Sequence, residues 1–259
     1  MVIGFLRYDK RMAAGQRIDV QKCQGEFVLI NLLGWDFTAY DLAEYGILHT
    51  SSIQPWVKIY GMTKILNTLN DGTLTGLLKS GAVGVLPTDT VYGLVACASL
   101  PEAASRVLEV KGRPYKPGTL IAADADQLID LGIKARYIKA VEQFWPGAIS
   151  VVVPMGPELD YLHSGAYSLP IRIPDHLELL KLLQNTGPLI TTSANLPDQP
   201  TAVTVAEVQE IFGAKLDFYV DGGDLSNRPP STIIRMVDDA IEVLRDGAVK
   251  IDEETGRIL

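Results

Sequence analysis

Short apolar runs alternate with helical patterns along the chain from residue 62 onward. Runs of apolar and β-branched residues bounded by Gly, Pro or polar residues predict strands, and they occur at 82–86, 119–123, 149–153, 168–173, 189–192, 218–220, 231–236 and 241–244. Helical spacing predicts a helix at 73–80, ended by Gly81, and another at 101–110 that begins with Pro101. Two more helices are predicted from capping boxes, at Asp175–Glu178 and Thr204–Glu207.

The order of these elements predicts the fold class. Strands that alternate with helices are typical of an α/β layer structure. The last two predicted strands follow one another across residues 238–240, which implies antiparallel pairing. The sequence therefore predicts an α/β fold, in which helices pack on a twisted sheet of mixed parallel and antiparallel strands.

Residues 1–61 differ from the rest of the chain. They are charge-balanced, contain Trp35 and Trp56, and show no sustained helical or strand period. We predict that 1–61 is a dispensable N-terminal extension and that 62–259 is the folded domain. The extension is interpreted as sequence upstream of a native start at Met62 or as a disordered leader, and an appendage packed on the sheet is the alternative.

Composition narrows the class of protein. The chain of 259 residues is 47% hydrophobic and 21% charged, which is ordinary for a globular protein with a buried core. Its apolar runs are too short to span a bilayer, and no secretory signal pattern opens the chain. We therefore expect a cytoplasmic protein with no membrane contact.

Charge and cysteine content exclude further classes. Cys23 and Cys97 are too few for a disulfide framework or a thiolate metal site. The formal net charge of −8 argues against a general basic face for nucleic acid. The segment 106–116 has a local excess of basic residues, for which an anionic ligand is one explanation.

The first candidate loop is PTDTVYGL at residues 87–94. Thr88 and Thr90 offer hydroxyl groups beside a chain reversal, and Gly93 permits a close backbone approach. The alternative is a simple turn formed by Pro87 and Asp89, followed by a tyrosine that packs in the core.

The second candidate loop is VKGRPYKPG at residues 110–118. Lys111, Arg113 and Lys116 follow a predicted helix, and on irregular backbone these cations can converge on one anion. The Arg113 guanidinium suits bidentate contact with phosphate oxygens, while the lysines suit point contacts. A solvated basic loop is the alternative.

The third candidate loop is PLITTSANLPDQPT at residues 188–201, where a strand leads into Thr191, Ser193 and Asn195. Hydroxyl and amide groups at a strand end suit phosphate or ribose oxygens. Hydrolysis with Ser193 as nucleophile is disfavoured, because GxSxG is absent and no histidine lies in a recognisable base motif.

The fourth candidate place joins Ser231, at the start of one predicted strand, to Arg245 near the end of the next. Simple strand edges with a hairpin are the alternative. Neither the P-loop pattern nor the Rossmann glycine pattern is present, so a nucleotide site here needs another architecture.

These places together resemble one family, the YrdC-like (TsaC-type) threonylcarbamoyl-AMP synthases. The resemblance runs from about residue 73 to residue 247 and rests on ordered motifs: PTDTVYGL, KGRP, WPGAISVVV, IRIPDH, SAN, STII and VLRDG. The Lys-x-Arg pair at Lys111 and Arg113 and the Ser-x-Asn pair at Ser193 and Asn195 match the catalytic residues of the family. Ile121 is a departure, because some relatives have a histidine near the substrate at that position.

The resemblance implies a YrdC-like catalytic domain at 62–259 with an open, concave nucleotide-binding surface. It implies Lys111, Arg113, Ser193 and Asn195 as catalytic residues, Thr90 and Ser231 as threonine-binding residues, and Arg113, Lys116, Thr191, Ser193, Thr201 and Arg245 as ATP-binding residues. Arg172 is a further candidate, and a structural pairing role is the alternative for this residue.

The implied reaction joins L-threonine, bicarbonate and ATP to give threonylcarbamoyl-AMP and pyrophosphate, the first step in threonylcarbamoylation of adenosine 37 of certain tRNAs. Mg²⁺ is expected to accompany ATP, without protein metal ligands. The product would be handed over to a tRNA threonylcarbamoyl transferase complex, with weak or indirect tRNA contact. The alternatives are a related carbamoyl-adenylate enzyme and a non-catalytic RNA-binding module with the same fold.

Overall fold

The computed structural model describes residues 63–113, 116–238, 240–252 and 255–259. The predicted extension 1–61 and the boundary at Met62 lie outside the described residues and stay predictions. The strands are β1 Lys64–Leu66, β2 Gly84–Pro87, β3 Tyr92–Cys97, β4 Thr119–Ile121, β5 Ile149–Pro154, β6 Ser168–Arg172, β7 Leu189–Ser193, β8 Phe218–Val220, β9 Thr232–Val237 and β10 Ala240–Arg245. The helices are α1 Leu74–Lys79, α2 Pro101–Lys111, α3 Ala125–Asp130, α4 Ala135–Val141, α5 Asp160–His163, α6 Leu177–Thr186 and α7 Val205–Phe212.

The strands form one open sheet in the order β1-β8-β2-β3-β7-β4-β6-β5-β9-β10. Pairing is parallel for β1–β8, β2–β8, β4–β6 and β5–β9, and antiparallel for β2–β3, β3–β7, β4–β7, β5–β6 and β9–β10. This mixed sheet with helices packed on it confirms the predicted fold class. The antiparallel β9–β10 pair confirms the expected hairpin at 238–240.

Helices cover the two faces of the sheet differently. On one face, α2, α3, α4, α5 and α7 pack against strand residues that include Ile171 and Val151. On the other face, α1 and α6 pack over the half of the sheet that contains β8, β2, β3 and β7. Because successive strand residues point to opposite faces, Arg172 and Ser150 lie on this second face, opposite Ile171 and Val151. The second face therefore has a polar region next to an apolar one.

Several elements differ from the sequence prediction. Strand β3 was not predicted, because the sequence after Pro87 was interpreted as a polar loop that leads to a helix. Strand β1 and helices α3, α4 and α5 were not predicted either. The predicted capping box at Asp175 is wrong, since His176 is the N-cap of α6 and its Nδ1 accepts a hydrogen bond from Leu179 N at 3.3 Å. The cap at Thr204 is confirmed, because its Oγ1 accepts from Glu207 N at 3.3 Å.

One basic residue of the 106–116 segment has a structural partner. Arg106 donates to both carboxylate oxygens of Asp217, from Nη1 at 2.5 Å and from Nη2 at 3.0 Å. The carboxylate also accepts from Val83 N at 2.7 Å. Asp217 therefore ties α2 to the segments that lead into β8 and β2, and Arg106 contributes to the fold.

Candidate functional site

The end of α2 separates two neighbouring cations. Gly112 follows the helix in the left-handed conformation, with φ of 74°, which glycine adopts readily. The amide of Arg113 then donates back to Leu108 O at 3.0 Å. As a result the Lys111 side chain is buried, with a relative exposure of 1%, whereas the Arg113 side chain is 29% exposed. The structure thus places one cation inside the protein and the other at its surface.

Lys111, Ser193 and Asn195 form what we call the lysine cluster. The Lys111 ammonium donates to Ser193 O at 2.6 Å, to Ser193 Oγ at 3.3 Å and to Asn195 Oδ1 at 2.5 Å. Ser193 Oγ also donates to Asn195 Oδ1 at 2.6 Å. The structure therefore brings together the Lys-x-Arg lysine and the Ser-x-Asn pair, which lie 82 and 84 residues apart in the chain.

The Asn195 amide group fixes the loop that follows β7. Its Nδ2 donates to Leu196 O at 3.0 Å and to Gln199 O at 2.6 Å. The loop closes where Ala202 N donates to Ala194 O at 3.2 Å. Because all donors and acceptors of the amide are used within the loop and the lysine cluster, the orientation of Asn195 is set.

The charge of Lys111 is held in an unfavourable environment. Burial, and then the nearby Arg113 guanidinium, lower the pKa of Lys111 from 10.5 to about 8. Below pH 8 the amine still carries its charge, and the three acceptors around it favour that form. The cluster is therefore a buried positive charge that an incoming anion would neutralise.

The remaining predicted phosphate and nucleotide residues on this side are more open. Arg113 Nη2 lies 3.9 Å from Asp198 Oδ1, and the Asp198 side chain is 96% exposed, so this pair is weak. Lys116 is exposed and Thr201 is half-buried. Among the described residues, no side-chain hydrogen bond joins Lys116 or Thr201 to the lysine cluster.

Thr90, which is predicted to bind the substrate threonine, lies in the tight β2–β3 connection. Its Oγ1 lies 3.0 Å from Thr88 Oγ1, and Thr88 Oγ1 donates to Val91 O at 2.7 Å. Both threonines are buried. Tyr92 packs in the core, as the alternative interpretation of this loop expected, and its hydroxyl donates to Gly223 O at 2.8 Å.

A second polar cluster, which we call the arginine chain, consists of Asp89, Arg172, Ser150, Ser231 and Arg245. Arg172 Nη2 donates to Asp89 Oδ1 at 2.9 Å, and Arg172 Nη1 donates to Ser150 Oγ at 3.4 Å. Ser150 Oγ lies 3.0 Å from Ser231 Oγ. Arg245 Nη2 donates to Ser231 O at 2.7 Å and to Ser231 Oγ at 3.1 Å. The predicted residues Ser231 and Arg245 are thus direct neighbours.

Burial shifts the pKa values of the charged residues in the arginine chain. It raises the pKa of Asp89, although Arg172 opposes the shift. It also lowers the pKa of Arg172, against the stabilising effect of the Asp89 carboxylate. The pKa of Arg245 is lowered by burial and then by the charge of Arg172. The arginine chain therefore holds more positive than negative charge in a poorly solvated place.

Two glycines permit close contacts in the site. A Cβ atom on Gly93 would lie 2.5 Å from Thr191 Oγ1, so only glycine leaves room for the Thr191 hydroxyl at that position. A Cβ atom on Gly247 would overlap the backbone from Pro230 to Thr232 beside Ser231. The register pairs Gly93 with Ser193 and Thr119 with Thr191, so Thr191 lies in β7 two residues before Ser193 of the lysine cluster.

The sequence prediction missed part of the site. Asp89 was interpreted only as a turn residue, and Ser150 was not singled out within the WPGAISVVV motif. A usable signal was present at Ser150, since a serine inside a run of buried apolar strand residues needs a partner. The predicted roles of Arg113, Lys116, Thr191, Thr201 and Arg245 with ATP stay predictions.

None of the described helices has the length and apolar content needed to cross a membrane. No group of three or more His, Cys, Asp or Glu side chains in the described ranges is placed to hold a metal ion.

Comparison with known proteins decides the family. A model of the Sua5/YciO/YrdC family, described as "Telomere recombination", matches residues 76–247. This chain belongs to the Sua5/YciO/YrdC family. The matched segment contains both the lysine cluster and the arginine chain.

Individual members of the Sua5/YciO/YrdC family give the likeness in detail. A protein of Bacillus subtilis (strain 168) named threonylcarbamoyl-AMP synthase is 34% identical over 179 residues, which cover 67% of this chain and 52% of that protein. A Vibrio campbellii protein of the same name is 33% identical over 163 residues, covering 60% of this chain and 88% of that protein. The crystal structure of P. abyssi Sua5 complexed with L-threonine is 28% identical, with a TM-score of 0.64, and the match covers 72% of this chain and 58% of that one. The chain therefore spans about half the length of the B. subtilis relative.

Proposed function

We propose that this chain is a threonylcarbamoyl-AMP synthase, which converts L-threonine, bicarbonate and ATP to threonylcarbamoyl-AMP and pyrophosphate. The names of its relatives and the threonine complex of P. abyssi Sua5 support the proposal. The observation that carries it is the lysine cluster, in which a buried ammonium lies beside Ser193 and Asn195, with Arg113 two residues along the chain.

The reaction suits a site of this composition. The amine of threonine and bicarbonate give a carbamate, whose oxygen attacks the α-phosphorus of ATP while pyrophosphate leaves. The nucleophile comes from the substrate, so the protein has to position the reactants and stabilise negative charge. A buried ammonium and a nearby guanidinium supply that stabilisation without a catalytic serine or cysteine.

The proposed roles follow the two clusters. Lys111, Arg113, Ser193 and Asn195 act at the reacting phosphate, with Lys116 at the outer phosphates. Thr191, Thr201 and Arg245 contact the nucleotide, and Thr90 and Ser231 contact L-threonine. We propose that Mg²⁺ enters with ATP and is held by phosphate oxygens and water, which Mg²⁺ prefers over all-protein cages; no described carboxylate cluster fits a resident ion.

Product transfer and location are part of the same proposal. Threonylcarbamoyl-AMP is a reactive mixed anhydride, so we propose hand-over to a tRNA threonylcarbamoyl transferase complex in the cytoplasm. The net charge of −8 supports weak or indirect contact with tRNA rather than binding of tRNA by a broad basic surface.

The proposal is tested by pyrophosphate release from ATP and bicarbonate, measured with and without L-threonine. Release by the full chain should depend on threonine. Arg113→Ala should lose about 30-fold to 1000-fold in kcat/KM for ATP, since a charge-assisted contact to the transition state contributes about 2–4 kcal/mol. Arg136→Ala is the matched control, because Arg136 is exposed on α4.

The same assay separates the alternatives. A related carbamoyl-adenylate enzyme would release pyrophosphate with another carbamoyl donor and without threonine. A non-catalytic RNA-binding module would release none under any condition. Either result, or full activity of Arg113→Ala, would contradict the proposed function or the role of Arg113.

A further inference from the structure

Two polar atoms in the middle of the arginine chain have no hydrogen-bond partner. They are Asp89 Oδ2, an acceptor, and Arg172 Nε, a donor. Both side chains are only 5% exposed. Each residue uses its other polar atoms, because Arg172 Nη2 binds Asp89 Oδ1 at 2.9 Å and Arg172 Nη1 binds Ser150 Oγ at 3.4 Å. The unpaired atoms are therefore exceptions within an otherwise bonded network.

Unpaired atoms of this kind are costly. A buried donor or acceptor without a partner destabilises the folded state, and more strongly when the group is charged. Native proteins keep few such atoms, and each one needs a reason. Here the two atoms have opposite character and belong to side chains in direct contact. They match a ligand that presents one N–H group and one anionic oxygen a short distance apart.

An α-amino acid has this arrangement, since its amine and carboxylate are attached to the same carbon. The two residues predicted from the sequence to bind threonine, Thr90 and Ser231, lie on either side of the pair. Thr90 is the next residue after Asp89, and Ser231 is bonded to Ser150, which Arg172 contacts. These two residues have hydroxyl groups, which suit the hydroxyl of threonine. Neither residue has a carboxylate to accept an N–H from the amine.

We infer that Asp89 is the residue that recognises the amine of the amino-acid substrate, with Oδ2 accepting a hydrogen bond from one of its N–H groups. The inference rests on the proposed function and adds to it the group that selects an amine. A neutral amine that donates one N–H to Asp89 keeps its lone pair free for the carbon of the carboxylating substrate. Asp89 thus orients the nitrogen while Thr90 and Ser231 contact the rest of the molecule.

The charge balance around Asp89 supports this role. Burial raises the pKa of Asp89 despite the adjacent Arg172, so desolvation disfavours the ionised form. An N–H donor at Oδ2 would stabilise that form. Asp89 also interacts electrostatically with His176 at the start of α6, and Arg228 approaches the same loop by donating to Thr88 O at 3.0 Å.

The test compares two ligands in two proteins. L-Threonine has the amine, whereas 3-hydroxybutanoate has hydrogen in its place and keeps the carboxylate and hydroxyl. Asp89→Asn keeps an oxygen that can accept from Arg172 and replaces the second oxygen with an N–H donor. The dissociation constant of threonine and the inhibition constant of 3-hydroxybutanoate are measured for the full chain, for Asp89→Asn and for Asp130→Asn. Asp130 is an exposed carboxylate at the end of α3 and serves as the control.

We expect Asp89→Asn to weaken threonine binding about 10-fold to 100-fold, the range for a hydrogen bond to a charged group. The affinity for 3-hydroxybutanoate should not fall, because this anion has no amine and the substitution removes a negative charge beside Arg172. If both ligands weaken equally, Asp89 acts only through Arg172 and the inference is wrong. Should Asp89→Asn fail to fold, the unmodified chain decides, because equal affinity for the two ligands would also overturn the inference. Absence of threonine-dependent pyrophosphate release from the unmodified chain would instead refute the proposed function.

Discussion

Replacing Lys111 with methionine separates the chemical role of this residue from its structural role. Methionine is close to lysine in length and keeps the apolar stem, but it removes the ammonium group. In the structure that group donates to Ser193 O at 2.6 Å and to Asn195 Oδ1 at 2.5 Å. The substitution therefore removes the charged donor of two acceptors, although Asn195 Oδ1 still accepts from Ser193 Oγ at 2.6 Å and Ser193 O from Asn195 N at 3.0 Å.

Two opposing effects determine the stability of Lys111→Met. Losing hydrogen bonds from a charged donor costs about 1.5–3 kcal/mol. Removing the buried charge has the opposite effect, since the fall of the Lys111 pKa from 10.5 to about 8 corresponds to roughly 3 kcal/mol of unfavourable free energy. The two contributions nearly cancel. The free energy of unfolding should change by less than about 2 kcal/mol, and the melting temperature by less than about 8 °C.

Activity has no such compensation. A positive charge at the reacting phosphate contributes about 2–4 kcal/mol to the transition state, so Lys111→Met should lose about 30-fold to 1000-fold in kcat. Threonine-dependent pyrophosphate release and thermal unfolding followed by circular dichroism are measured together. Lys139→Met is the control, since Lys139 is exposed in the last turn of α4. A variant that keeps its activity, or one that loses both fold and activity, would refute the separation of roles.

Three further predictions concern pH, packing and the fold. Lys111 is charged below its pKa of about 8 and neutral above it, so kcat/KM for ATP should fall as pH rises above 8. In Lys111→Arg this fall should move to higher pH, and a fall at the same pH would show that another group causes it. Gly93→Ala places a Cβ atom 2.5 Å from Thr191 Oγ1, which should lower the free energy of unfolding in urea by about 1–3 kcal/mol. An unchanged free energy of unfolding would show that the strand accommodates the methyl group. Arg106→Met should lower the melting temperature because the Asp217 carboxylate loses its cation and keeps only the hydrogen bond from Val83 N, at a cost of about 1–3 kcal/mol, while kcat stays normal. A reduced kcat in a stable variant would place Arg106 in the site instead.

Local patterns were sufficient for much of the sheet. Strands β5 to β10 were predicted because each has an apolar core bounded by Gly, Pro or polar residues. Strand β3 was missed for a local reason as well. Its sequence YGLVAC contains Gly93 and Ala96 and follows Thr88-Asp89-Thr90, so the polar turn extended the apparent loop into the strand.

The two parts of the site differ in how far sequence could predict them. The lysine cluster combines two short motifs, Lys-x-Arg and Ser-x-Asn. The family resemblance predicted that both belong to one catalytic site. The arginine chain depends on side chains that meet only in the folded sheet, since Asp89 and Arg172 are 83 residues apart. No local pattern indicates that pairing, because a turn aspartate and a strand arginine each have a common structural explanation.

The strand order also affects how the protein is made. Strand β8 lies between β1 and β2, and Lys64 pairs with Phe218. A ribosome releases β1 and β2 long before β8, so these strands emerge without the neighbour that separates them. Until Phe218 and Val220 leave the exit tunnel, Leu74 and Leu78 of α1 lack part of the apolar surface that covers them. This half of the sheet is therefore completed late in translation, after long-range loop closure, and chaperones that bind apolar segments have that interval in which to act.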